Sequence, residues 1–318
     1  MCRYNDVFKR NWIITMMLAL VCIETRAQYD VSFSHYFDME PSFNPASVGK
    51  QSVINVTGTY AIQLAGFKRN PQTMYFAGDA PFYGLKTYHG AGIQLFNDQI
   101  GLFKHQRLSL QYALRTRLAG GMLGIGVQGG LLNETFDGSK LDLITTNDPV
   151  FATSQVEGSS LDLAAGLYYT HKSWYVGLSA THLTSPLVEL GETNELQVDR
   201  TFYLTGGYNI KLRNPFLSIK SSFLVRTDLV AYRGDITGRL VYTNDKKLMY
   251  AGIGCSPTNS VTFYVGGSVQ GIMLGYSYEV YTSAINPANG SHELFVGYQM
   301  DVNLVKKGRN LHKSVRIL

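Results

Sequence analysis

Cysteine is close to absent from this chain. Cys2 and Cys22 fall in an N-terminal leader and Cys255 stands alone afterwards, so the mature chain has no internal disulfide to form. The seven histidines, His35, His89, His105, His171, His182, His292 and His312, include no i, i+4 pair and no cysteine at metal-ligand spacing. That pattern points to no metal and no cofactor. Strong charge is missing too: a formal net charge of +5 is too mild to suggest a nucleic-acid partner. Long apolar runs are also few. Trp12 to Ile23 spans twelve residues, against the ~20 needed by a membrane-crossing helix. Leu248 to Tyr278 is uncharged, but six glycines and Pro257 interrupt it, each Gly costing about 1 kcal/mol and Pro about 3 in a helix relative to Ala. Val261, Phe263 and Val265 alternate there with Thr262, Tyr264 and Gly266, so a hairpin is expected.

What is present is a two-residue rhythm. Leu108, Leu110, Tyr112, Leu114 and Leu118 alternate with Arg107, Ser109, Gln111, Arg115 and Arg117. Successive side chains of a strand point to opposite faces, so this stretch has one oily face and one strongly polar face. The leader carries Lys9 and Arg10, then the apolar run, then Thr25-Arg26-Ala27, and reads as a signal peptide over residues 1–27 cut before Gln28. Exported alternating strands read as an all-β fold, a transmembrane antiparallel barrel over residues 51–302.

Candidate strands are Val53 to Leu64, Gln72 to Phe82, Tyr88 to Phe96, Lys104 to Leu118, Gly121 to Leu132, Ser160 to Thr170 and Ser173 to Leu183. Seven more follow: Thr201 to Leu212, Phe216 to Thr227, Leu229 to Thr243, Lys247 to Cys255, Ser260 to Val269, Gly271 to Tyr281 and His292 to Val302. The total of about fourteen is even, as single-chain bacterial barrels require. Links after even-numbered strands are short, such as Ala119-Gly120 and His171-Lys172, whereas the two longest, Asn133 to Ser159 and Thr184 to Arg200, follow odd-numbered ones. Short turns mark the periplasmic end of such barrels. Both termini are therefore expected in the periplasm, as an N-terminal segment over 28–50 and a basic tail over 303–318. An Arg facing lipid at mid-bilayer costs ~2 to 4 kcal/mol, so Arg107, Arg115, Arg117, Arg226, Arg233, Asp235, Arg239 and Glu279 are expected in the lumen. Leu110, Phe223, Ile236 and Leu274 should meet lipid. On that assignment Leu110→Arg blocks insertion and Ser109→Arg does not.

Motifs with chemical meaning are thin. Gly124-Ile125-Gly126-Val127-Gln128-Gly129 fits G-x-G-x-x-G, but a strand continues where the dinucleotide fingerprint needs a helix. These glycines are expected to let bulky side chains on neighbouring strands pack. Ser291, His292 and Glu293 are adjacent on an extended chain, so they alternate faces and form no nucleophile–base pair. No catalytic residue is expected. The tail has Lys306, Lys307, Arg309, Lys313 and Arg316 with no acidic residue; it either binds an acidic partner or is a solvated end.

Two segments resemble the ends of the PorP/SprF family, outer-membrane proteins of the type IX secretion system. One is Ser32-Phe33-Ser34-His35-Tyr36-Phe37, followed by Ser42-Phe43-Asn44-Pro45-Ala46 and Gly49. The other is Gly275-Tyr276-Ser277-Tyr278-Glu279, then Thr282-Ser283 and Gly290-Ser291-His292-Glu293-Leu294. Asp38-Met39-Glu40-Pro41 is more acidic than the family's usual link. The resemblance implies a non-enzymatic role in exporting cargo with C-terminal sorting domains, and contact with periplasmic lipoproteins or ring components. Outer-membrane lipid would surround the barrel. Asn44-Pro45 suits a rigid turn that docks the N-terminal segment at the periplasmic mouth. Asn44, Pro45, Lys306, Lys307 and Arg309 are the partner-contact candidates, and Gly290 to Glu293 is expected to close the last surface hairpin with Glu293 entering the lumen. The alternative is a porin or small-solute transporter.

Overall fold

The computed structural model describes residues 30–140, 154–191, 194–245, 247–257, 259–282 and 289–302. The expected signal peptide and the tail residues Lys306, Lys307 and Arg309 lie outside the described residues. The strands are β1 (Val53–Ile62), β2 (Gln72–Gly84), β3 (Thr87–Ile100), β4 (Phe103–Leu118), β5 (Gly121–Asp137), β6 (Gln155–His171), β7 (Trp174–Thr181) and β8 (Leu187–Leu190). They continue as β9 (Asn194–Gln197), β10 (Thr201–Lys211), β11 (Leu217–Thr227), β12 (Tyr232–Asn244), β13 (Lys247–Ser256), β14 (Ser260–Val269), β15 (Ile272–Tyr281) and β16 (Ser291–Asp301). Fourteen of them close into an antiparallel barrel, with β1 paired to both β2 and β16 and β7 paired directly to β10. β8 and β9 form a separate two-stranded ribbon.

Each barrel strand coincides with one of the fourteen expected stretches, and the main differences lie at one end. β5 runs on to Asp137 and β6 begins at Gln155, so much of the expected 133–159 loop is a paired hairpin. Pairing continues there although the apolar alternation has stopped, because backbone hydrogen bonds outlast the oily band. The ribbon within 184–200 was also read as loop; its four-residue strands are too short for a period of two to register.

At one mouth, among the described residues, only the β3–β4 turn at Gly101-Leu102 has two residues, whereas at the other the hairpin links are short throughout. Ala119 and Gly120, like Gln270 and Gly271, all have positive φ, the geometry of two-residue hairpins whose twist matches the strands. Val53 and Asp301 face each other at this same end, so the chain enters and leaves the barrel there. The outer wall is apolar, with Leu110 65%, Ile236 60% and Leu274 56% exposed. Tyr83, Trp174, Tyr208, Phe216 and Tyr242 sit exposed near the short-turn ends of their strands, and Phe103 and Tyr232 near the other ends. That is the placing of aromatic girdles at two membrane interfaces. The uncharged run at 248–278 is β13 to β15, not a helix.

Candidate functional site

The lumen is filled by the chain's own N-terminal segment. The sequence placed residues 28–50 at the mouth; the structure carries 30–50 inside the barrel as two short 3-10 turns, Glu40–Ser42 and Pro45–Ser47, joined by irregular chain. The reason is chemical matching. Phe33, Tyr36, Phe37, Met39 and Phe43 are buried against lumen-facing aromatics, Tyr75 and Phe295 on one side and Tyr203, Tyr250 and Tyr264 on the other. Each fully buried side chain of this size contributes about 1.5 to 3 kcal/mol.

Polar groups fix the register of this plug. The backbone N–H groups of Ser34 and His35 each donate to the Glu293 carboxylate at 2.8 Å, and the His35 ring bonds it at 2.7 Å. Thus the two segments that carry the family resemblance are in contact, although Ser34 and Glu293 stand 259 residues apart in the chain. Glu40 is buried, paired with Lys50 and accepting the Tyr168 hydroxyl at 2.9 and 3.0 Å. Arg239 stacks over the Phe37 ring at 3.3 Å and lies 3.7 Å from Asp38. The unusual acidity of residues 38–41 is therefore matched by cations on the wall and the plug itself. Gln111 donates to the Pro41 carbonyl and Ser179 to that of Phe43.

A charged latch holds the start of the plug. Asp30 lies 3.2 Å from His182 and 3.7 Å from Arg107, and accepts from Tyr203 at 2.5 Å. His182 also faces Asp162 at 3.1 Å, while Arg226 donates to the Asp30 carbonyl at 2.8 Å. Burial alone would raise the Asp30 carboxyl, but the charges of His182 and Arg107 hold it well below its ordinary value. Burial would lower His182, yet the Asp30 charge and hydrogen bonds to Asp162 and Asp30 lift it to about 9.

Asn44 and Pro45 are buried in the lumen and touch wall rather than the outside. The Asn44 side chain accepts from Ala46 N–H and donates to the Leu167 carbonyl at 3.1 Å. The turn rests on a floor of glycines. A Cβ at Gly126 would overlap the Ala46 backbone, one at Gly90 the Val48 carbonyl, one at Gly166 the Asn44 amide, and one at Gly124 would reach 2.7 Å from the Ala46 oxygen. Gly124 and Gly126 do make room, but for the plug's backbone and not for the bulky side chains of neighbouring strands that the sequence led us to expect. Gly124 and Gly126 on β5, with Gly166 paired to Gly126 on the neighbouring β6, were the residues in the sequence that could have signalled a plug. Glu293 lies in the lumen, Gly290 precedes β16 with φ +61°, and Ser291 accepts the Leu64 N–H. His292 turns to the other face and bonds the Tyr276 hydroxyl at 2.7 Å.

At the far mouth the ribbon packs on β5 and β6. Val188, Leu190 and Val198 pack on Leu132, and a Cβ at Gly158 would overlap the Glu189 carbonyl.

Residues 25–298 match the family described as type IX secretion system membrane protein PorP/SprF. No curated protein matches the chain. Among solved structures it is similar to a Pseudomonas aeruginosa FadL homologue, at 11% identity over 82% of this chain and 93% of that one, TM-score 0.48. The CymD monoaromatic hydrocarbon channel is similar at 8% identity over 88% and 96%, TM-score 0.48. BamA from Haemophilus ducreyi lacking POTRA domains 1–3 is similar at 9% over 78% and 70%, TM-score 0.43.

Proposed function

Because this chain belongs to the PorP/SprF family of type IX secretion system membrane proteins, we propose that it serves that system as a sealed outer-membrane barrel, a scaffold and not a conduit. The lumen plug carries this reading: residues 33–48 are almost continuously buried, with contacts running from Arg226 on β11 to Glu293 on β16 and Gly90 on β3. A porin or small-solute transporter needs an aqueous path, and the plug stands across it. The barrel then supports export of cargo bearing C-terminal sorting domains by holding other components, not by passing cargo through its own wall. The short-turn mouth, where the chain enters and leaves the barrel, faces the periplasm and its lipoprotein or ring components. The long-loop mouth with the β8–β9 ribbon faces the cell surface.

Deleting the gene should leave sorting-domain cargo inside the cell while uptake of small solutes is unchanged. Altered solute uptake with normal cargo export would reverse the assignment in favour of the transporter.

A further inference from the structure

Beside the plug's exit, the short-turn mouth holds a recess of about 800 Å³ between Gly49–Ser52, the β4–β5 turn and the β6–β7 turn. That volume is within the range of sites that enclose a ligand. Its charged lining is Lys50, Arg115, Arg117 and Lys172, with His171 beside them, and no Asp or Glu lines it. Lys50 is paired with Glu40, and Arg115 donates to the plug carbonyls of Ala46 and Val48 at 3.4 Å. Arg117 and Lys172 have no carboxylate within ion-pair distance among the described residues. The opposite end carries both signs, with Lys68 and Lys104 as well as Glu157, Glu189 and Glu195.

The direction of approach selects the kind of occupant. Arg115 and Arg117 share the lumen face of β4 with Arg107 and Gln111; of that strand's lipid-face residues, Leu118 at its very end touches the recess and Leu114 does not line it. A lipid headgroup would meet the outer wall, whereas the cations of the recess come from the lumen face of β4 and from the β6–β7 turn. Its size exceeds that of a single phosphate. We propose that this recess receives an extended acidic segment of a partner protein, whose carboxylates sit on Arg117 and Lys172. This names the chemistry of the partner invoked above, and rests on that reading for which compartment supplies it.

The test uses the full mature chain in detergent micelles and a fluorescent oligoglutamate peptide, with oligoglutamine as the neutral probe. Oligoglutamate should bind, lose affinity as salt rises, and bind at least about tenfold more weakly to Arg117→Glu/Lys172→Glu. Lys68→Glu/Lys104→Glu, at the other rim, should bind as the parent does, and both variants should keep the parent's thermal transition. Equal binding by the two double variants, or equal binding of oligoglutamine, would overturn the proposal. Competition by inorganic phosphate at the peptide's own concentration would reassign the recess to a free anion, and loss of binding in nanodiscs of anionic lipid would reassign it to headgroups. Because binding is read on the isolated barrel, its failure is separate from any failure of cargo export in cells.

Discussion

The Glu293 carboxylate shows how one side chain sets a long-range contact. It accepts two backbone N–H groups and the His35 ring, and lies buried at 3% exposure. Removing one partner of such a buried set strands the other groups, at a cost of roughly 3 to 5 kcal/mol. Glu293→Ala should therefore free the plug, whereas Glu293→Gln, which keeps an acceptor, should lose roughly half as much. A spin label at Ser32→Cys, in a Cys255→Ser background, reads this directly as increased mobility; unchanged spectra in Glu293→Ala would refute the anchor. Gly126→Val tests the floor by steric means, since its Cβ overlaps Ala46, while a Cβ at Gly129 meets only Leu163 at 3.8 Å. The first should mobilise the same label and Gly129→Ala should not. The latch makes the plug answer to pH with a definite sign. His182, raised to about 9, contributes fully below its ordinary 6.5, and its contribution is lost as pH rises through about 9. Asp30, depressed, contributes fully above its ordinary 3.8 and loses this only in stronger acid. The label should be most immobile between 3.8 and 6.5 and should loosen on the alkaline side near 9. His182→Gln should abolish that alkaline step; a step that persists in this variant would place its origin elsewhere.

At the scale of the strand, alternation made the fold legible and hid the plug. A lipid-facing strand declares itself because every second residue must be apolar, so fourteen stretches were readable with ends shifted by a few residues. The lumen face carries no such demand. Arg107, Arg115, Arg226 and Glu293 fit a water-filled interior as well as a packed one, and their partners at residues 30–48 lie far off in sequence. The segment itself has two three-residue turns and no sustained period. Its glycine floor was visible as residues but not as a surface, because Gly90, Gly124, Gly126 and Gly166 meet the plug only once β3, β5 and β6 are aligned. The structure also sharpens the test of the strand faces. Leu110 is 65% exposed on the lipid face and Ser109 is 1% exposed beneath the plug. Leu110→Arg should cost ~2 to 4 kcal/mol in the bilayer and fall out of the outer-membrane fraction. Ser109→Arg, expected from the sequence to be tolerated, should still insert but crowd the filled lumen and loosen the plug. Equal recovery of both variants, with the plug immobile in each, would contradict the face assignment.

The behaviour of the whole molecule follows from the ratio of wall to filling. Barrels of about 8 strands are filled by their own side chains and those of 16 to 18 leave a channel, so fourteen strands enclose space that a separate segment must occupy if the barrel is to be closed. Residues 30–50 supply that segment, and the β8–β9 ribbon packs on β5 and β6 at one end. Purified mature protein in planar bilayers should therefore carry no steady current. Deleting residues 28–49 should open it, and Gly126→Val/Gly166→Val, which keeps the full chain and only lifts the plug from its floor, should give intermittent openings. Arg115, Arg117 and Lys172 would then line one side of the short-turn mouth without the plug carbonyls that engage Arg115, so the opened state should favour anions. A steady current through the intact chain would mean that ions find a path past the plug, and the sealed-scaffold reading would give way to the transporter. Silence in all three proteins, with the deletion shown to be inserted, would mean that the wall collapses onto the vacated space and that the plug is a structural core before it is a seal.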